Sequence, residues 1–169
     1  MAGEVVLQIL ELFNRDHVHA WVDGGWGVDA LLRRETRPHA DLDLVLAAAD
    51  LEAARALLSG AGFVVVRDLL PTAIAYTHPD GRGVDLHPVR PTTDGGGDQD
   101  LTRAGLGEDA SLFHYGPPVR GEIAGTQVWC VNGTTQLHAH CGYEPEAKDR
   151  VDVAALAAHL GVEPPPPYR

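Results

Sequence analysis

The strongest constraint on the fold is one stretch, Asp23 to Asp43, reading D-G-G-W-G-V-D-A-L-L-R-R-E-T-R-P-H-A-D-L-D. A short apolar-to-polar run, His19 to Asp23, leads into Gly24 and Gly25, and a helical stretch from Gly27 to Arg34 follows. Arg37, His39, Asp41 and Asp43 then recur at every second position and run into Leu44-Val45-Leu46. The order implied is strand, glycine turn, helix starting near Trp26, strand. Alternate strand residues share a face, so Asp41 and Asp43 project side by side with Cα atoms about 6.6 Å apart, with His39 on the same face and Leu42 and Leu44 turned to the core.

Two carboxylates this close repel unless a cation lies between them. Mg²⁺ suits an all-oxygen donor set and is commonly held by one or two carboxylates plus substrate phosphates. Gly24 and Gly25 lack Cβ and let the backbone approach a ligand, and the helix that follows offers free N–H groups to an anion. Each element is common alone: D-x-D closes many strands, and Gly-Gly is usually only a turn. The string is not G-x-G-x-x-G, so a dinucleotide fold is poorly supported.

Taken together, Gly-Gly-Trp followed by R-x-H-x-D-x-D resembles the nucleotidyltransferase superfamily with the polymerase-β-like core. The longer string W-V-D-G-G-W-G-V-D-A-L…T-R-P-H-A-D-L-D-L is similar to its antibiotic-modifying branch, the lincosamide and aminoglycoside (2''-type) nucleotidyltransferases. Gly25 departs from the commoner Gly-Ser form, as that branch does. The last matching string, H-C-G-Y-E-P-E-A-K-D-R-V-D (His140 to Asp152), carries Cys141 where a small polar residue is usual.

The rest of the chain supplies the frame. Val6, Ile9, Leu10 and Phe13 fall at helical spacing within Glu4–Asp16, and Leu51, Ala54, Leu57 and Leu58 do so within Asp50–Ser59, with Asp50 as N-cap. Strands are expected over Phe63–Arg67, Thr72–Thr77 and, after the turn at Asp80-Gly81, Gly83–Val89. The last carries Asp85 and His87 on one face, with Val84 and Leu86 on the other. By resemblance, V-D-L-H-P is the element that adds a third carboxylate beside the D-x-D strand. Pro91–Asp109, rich in Gly, Asp and Thr, reads as a long loop, Val119–Val131 as two short strands around Gly125, and Thr135–His140 and Glu146–Leu160 as helical. The fold class is α/β (α+β), a mixed sheet covered by helices. Residues 1–132 form the nucleotidyltransferase core, 133–162 a helical part packed on it, and 163–169 an extended tail with four prolines.

The chain has 169 residues, enough for one domain with its own core. A formal net charge of -11 disfavours nucleic acid and suits either simple solubility or a cationic small molecule. Cys130 and Cys141 lack C-x-x-C spacing, no apolar run reaches membrane-spanning length, and the N-terminus has no signal pattern, so a cytoplasmic protein without zinc is expected. Among twelve arginines stands a single lysine, Lys148, near a helix start where its charge opposes the dipole.

The resemblance implies transfer of a nucleoside monophosphate, AMP from ATP, to a hydroxyl of a small acceptor. Asp41, Asp43 and Asp85 are the implied catalytic and metal-holding residues, for two Mg²⁺, with Asp85 also the candidate base. Gly24, Gly25, Arg37, His39 and Lys148 are the candidates for nucleotide contact, and His87, Tyr143 and Glu144 for the acceptor. A nucleotide-binding or antitoxin-like module without catalysis is the competing class, and three clustered carboxylates argue against it.

Overall fold

A computed structural model describes residues 1–105, 111–141 and 143–169. The stretch that opens the argument folds as β1 (Ala20–Asp23), α2 (Gly24–Leu32) and β2 (Asp41–Ala47), preceded by α1 (Gly3–Arg15). Then come α3 (Leu51–Gly60), β3 (Val64–Leu69), β4 (Ala73–Thr77), β5 (Gly83–Pro91), β6 (Gly97–Asp100), β7 (Leu112–Tyr115), β8 (Val119–Ile123), β9 (Thr126–Cys130), α4 (Gly133–Ala139) and α5 (Ala147–Leu160). The sheet is mixed, in the order β3-β4-β5-β2-β1-β9-β8, with β6 attached to β5 and β7 to β6. β2 and β5 run parallel, as do β1 and β9, whereas β1–β2 and β4–β5 are antiparallel. This is the mixed α/β architecture that the alternating pattern implies.

One sheet face carries the main core. Val6, Ile9 and Phe13 of α1, Trp26 of α2, and Ala54 and Leu58 of α3 close over Leu42, Leu44 and Leu46 of β2 and Val84 and Leu86 of β5. The opposite face is apolar only in part, where Val45, Val89, Tyr115 and Val131 cluster with Trp21 and Phe113. There the carboxylates of β2 and β5 emerge. A third cluster joins Val28 of α2 to Leu137 of α4 and to Val153 and Leu156 of α5, and Tyr168 folds back against it. None of the described helices is long and apolar enough to cross a membrane.

Three local expectations change. The helix begins at Gly24, not Trp26, because β1 ends at Asp23 and the chain turns at once through Gly24, whose φ is +57°. Asp50 makes no side-chain cap bond, since a short 3₁₀ turn over Ala48–Asp50 already leads into α3. The loop expected over Pro91–Asp109 contains a strand: Thr92 and Gly96 close a turn, and β6 pairs back on β5, with Gln99 opposite Val89. G-D-Q-D shows no apolar alternation, which hides that strand from pattern reading. Residues 106–109 of that expected loop lie outside the described residues.

The last helix is tied to the central stretch by charge. Glu146 and Asp149 form a capping box at the start of α5, and Asp149 also accepts from the Tyr143 hydroxyl at 3.1 Å. Asp152, one turn on and 1% exposed, takes the Arg37 guanidinium at two points, Nε at 2.9 Å and Nη2 at 2.6 Å. Such a two-point pair fixes the approach of α5 to the segment before β2. Asp152→Ala leaves the Arg37 charge without its carboxylate, and urea denaturation should show a loss of about 3 kcal/mol, at the low end for broken buried pairs because Arg37 keeps some solvent contact.

Candidate active site

Register places the acidic residues. β1, β2 and β5 lie side by side, and Asp23 stands opposite Asp43, which stands opposite Asp85. Continuing outward, Asp85 faces Ala75 of β4 and Ala75 faces Arg67 of β3. Five strands thus contribute one row, Arg67-Ala75-Asp85-Asp43-Asp23, on the face away from the three covering helices. Asp41 lies one strand repeat before Asp43, opposite Gly83, and is exposed. The backbone thus brings Asp41, Asp43 and Asp85 together.

Asp23 is the neighbour that pattern reading missed. It is 6% exposed, accepts from the Tyr115 hydroxyl at 3.0 Å through Oδ2, and leaves Oδ1 buried without a partner. Its sequence signal was its place at the end of β1, directly before the glycines. Gly24, which follows, must be glycine twice over. Its φ lies in the left-handed region, and a Cβ there would collide with the Asp43 carboxylate.

Charge in the row is under-compensated. Burial, then the Asp43 charge, pushes the Asp85 carboxyl up to about 6. Burial and Asp43 likewise raise Asp23, against the pull of His87. For His87, burial works against the charged ring, but the Asp43 hydrogen bond and the charges of Asp43, Asp23 and Asp85 outweigh it and raise the imidazole. The cationic partners are few: His87 Nε2 at 3.2 Å from Asp43, and Arg67, 60% exposed, at 3.6 Å from Asp85.

A divalent cation fits this set. Asp41, Asp43 and Asp85 supply hard oxygen donors, and the Asp43 charge adds to burial in lifting the Asp85 carboxyl, a repulsion that a cation between the two would relieve. The fit needs side-chain rotation. Among the described residues no three His, Cys, Asp or Glu groups already surround one point, since Asp43 turns to His87 and Asp85 to Arg67.

Beside the row opens a cleft of about 590 Å³. Asp23, Gly24, Asp43 and His87 form its floor, Leu69, Leu101, Leu112 and Phe113 an apolar wall, and Gln136, His140 and Tyr143 the far side. Gln99 supports the floor, its amide donating to the Thr72 carbonyl at 2.8 Å and lying 3.1 Å from His87 Nδ1. A groove of about 640 Å³ between α1 and the β8–β9 hairpin is slightly larger but holds no acidic cluster.

The other candidates are placed differently. His39 does not share the strand face of Asp41, because β2 begins only at Asp41 and the His39 ring turns inward, 2.5 Å from the Asp29 carboxylate and packed on Trp26. Arg37 is held by Asp152. Both side chains nevertheless lie against Gly25, where a Cβ would collide with them. Lys148 is 55% exposed and 3.5 Å from Glu146. His87 and Tyr143 line the cleft, while Glu144 is exposed and outside its lining. Asp29 and Asp152, which hold His39 and Arg37, lie within the strings that carry the resemblance, but pattern reading gave neither a role in the site.

The Asp85 shift has a definite sign. A carboxyl raised in the folded state contributes stability at low pH that is lost as pH rises through its folded value. Metal-free protein in chelator should therefore lose stability from about pH 4 to above pH 6. Asp85→Asn should flatten part of that slope, by no more than about 2 kcal/mol once solvent screening is discounted, in urea titrations across the range.

Known proteins resemble this chain in sequence and fold over most of its length. A lincosamide resistance protein of Staphylococcus haemolyticus is 27% identical over 148 residues, 88% of this chain and 89% of that protein. The crystal structure of the lincosamide antibiotic adenylyltransferase LnuA, lincomycin-bound, superposes with a TM-score of 0.76 at 25% identity, over 91% of this chain and 95% of that one. ANT(2'')-Ia in complex with adenylyl-2''-tobramycin shares the fold, with a TM-score of 0.72 at 19% identity over 94% and 89% of the two chains. The aminoglycoside-2''-adenylyltransferase family model matches residues 5–156, and the chain belongs to that family of nucleotidyltransferases.

Proposed function

We propose that the protein transfers AMP from ATP to a hydroxyl of a lincosamide or aminoglycoside antibiotic, with Mg²⁺ and with release of pyrophosphate. The observation that carries this is the register of β2 on β5, which sets Asp43 beside Asp85 under the glycine turn that opens α2. Asp41, Asp43 and Asp85 hold the metal, which when bound draws off negative charge from the reacting phosphate and the departing pyrophosphate. Gly24 and Gly25 present the first N–H groups of α2 to the triphosphate. Arg37 adds positive potential there while its Nε and Nη2 donate to Asp152, His39 backs the turn, and Lys148 supplies a further cation from α5. Asp85 takes the proton of the acceptor hydroxyl; the acceptor oxygen bonds to the α-phosphorus, and the bond from that phosphorus to the pyrophosphate oxygen breaks.

Of the two acceptor classes, the cleft favours the lincosamide. Its wall of Leu69, Leu101, Leu112 and Phe113 suits a sugar joined to an apolar, singly cationic group better than a polycation with no apolar face. His87 and Tyr143 lie where they can meet that acceptor, and Glu144 stands at the margin. The net charge of -11 is the observation that favours an aminoglycoside instead.

The test is mass spectrometry of lincomycin and tobramycin after incubation with Mg-ATP, with pyrophosphate release followed in parallel. Lincomycin should gain one AMP. Asp43→Asn should lower turnover at least about 100-fold with the fold intact, the scale seen when electrostatic stabilisation of a transition state is removed. Asp85→Asn should keep Mg-ATP binding and lose transfer. Full turnover in either variant contradicts the assigned role.

A further inference from the structure

Gln136 is the buried polar residue that the fold itself leaves unexplained. It sits in the first turns of α4, is fully buried, and neither its Nε2 nor its Oε1 has a hydrogen-bond partner. Among the described residues it alone has both side-chain polar atoms buried and unpaired. A buried amide without partners is costly, and an apolar side chain of the same length would remove the cost.

Its position is imposed rather than loose. The Gln136 N–H donates to the Asn132 carbonyl at 3.0 Å, and its own carbonyl accepts from the His140 ring Nδ1 at 2.7 Å. The Asn132 side chain caps the helix by accepting from Thr135 N at 2.9 Å. With the backbone pinned at both ends, the side chain is directed onto the first turn of α2. Gly27 is the residue it meets there, and a Cβ on Gly27 would collide with Gln136 Nε2. Two positions far apart in the chain are therefore matched, the Gln136 amide packing on Gly27, and Gln136 and Gly24 both line the cleft that holds Asp23 and Asp43.

We propose that Gln136 is a nucleotide-binding residue. Its Nε2 donates to a phosphoryl oxygen of the triphosphate seated at the start of α2, and its Oε1 accepts from a sugar hydroxyl. This rests on the nucleotidyl-transfer reading above. The chemistry follows from the pairing demand. The amide lacks one acceptor and one donor; phosphate offers only acceptors at neutral pH, and the ribose hydroxyls are the donors attached to it. A bare helix N-terminus supplies donors alone, so the amide adds what the turn cannot.

The experiment is calorimetric titration of the full chain with Mg-ATP and with Mg-tripolyphosphate, beside thermal melts. Gln136→Met keeps length and removes both polar atoms. It should melt at the same temperature or higher yet bind both ligands at least tenfold more weakly. Gln136→Glu, which puts charge where the donor was, should weaken both further and stands in if the methionine variant does not fold. Affinities within twofold of the parent in a folded variant overturn the proposal. Weaker ATP with unchanged tripolyphosphate overturns the phosphoryl contact. A parent protein that binds neither ligand refutes the nucleotide reading itself, which is a separate result from a parent that binds and variants that bind equally.

Discussion

Like charge forced together by strand pairing is the constraint on which this structure turns. Parallel pairing of β2 with β5 sets Asp43 against Asp85, and antiparallel pairing with β1 adds Asp23 on the other flank. Apolar burial on the opposite face holds the register: Leu42 and Leu44 on β2 and Val84 and Leu86 on β5 are completely buried, and a slip by one residue would invert every one of them. The core thus fixes the repulsion in place. What relieves it in the protein alone is modest, one imidazole and one largely exposed guanidinium.

The helix side of the site is set by different forces. Gly24 lets α2 start immediately above Asp43, and the loop before β2 is held by ion pairs that reach inward, His39 to Asp29 and Arg37 to Asp152. Through the second pair the C-terminal helix is joined to the segment that enters the catalytic strand, although the two lie 115 residues apart in sequence. The string K-D-R-V-D thereby acquires a physical content. Asp149 caps α5 and Asp152 binds Arg37, while Lys148 remains at the surface.

Much of this was legible from residue order. Alternation in D-L-D-L and V-D-L-H encodes which side chains share a face, so the pairings of Asp41 with Asp43 and of Asp85 with His87 could be read directly, while the place of Asp85 on a neighbouring strand was implied by the family resemblance. The glycine turn and the helix after it were visible for the same local reason. Alternation misled where the strand had not yet begun: Arg37 and His39 keep the period of two, but Pro38 interrupts the segment and both side chains turn to carboxylates elsewhere. Long-range partners such as Asp152, Gln136 and Tyr115 carry no local signature, because hydrogen bonding across the fold imposes no spacing on the chain. β6 was hidden because its inward residue is Gln99, a polar side chain fixed by Thr72 and His87 instead of by an apolar core.

The central claim is that the carboxylate row is a cation seat beside a triphosphate. Crystals grown with Mn²⁺ and a non-hydrolysable ATP analogue test it directly through the anomalous signal of the metal. The account predicts a peak at ligating distance from Asp43 and Asp85, with Asp43 released from His87, Asp85 from Arg67, and the triphosphate lying along Gly24 and Gly25. A peak elsewhere, or a bound analogue with both ion pairs intact and no metal between the strands, would contradict it.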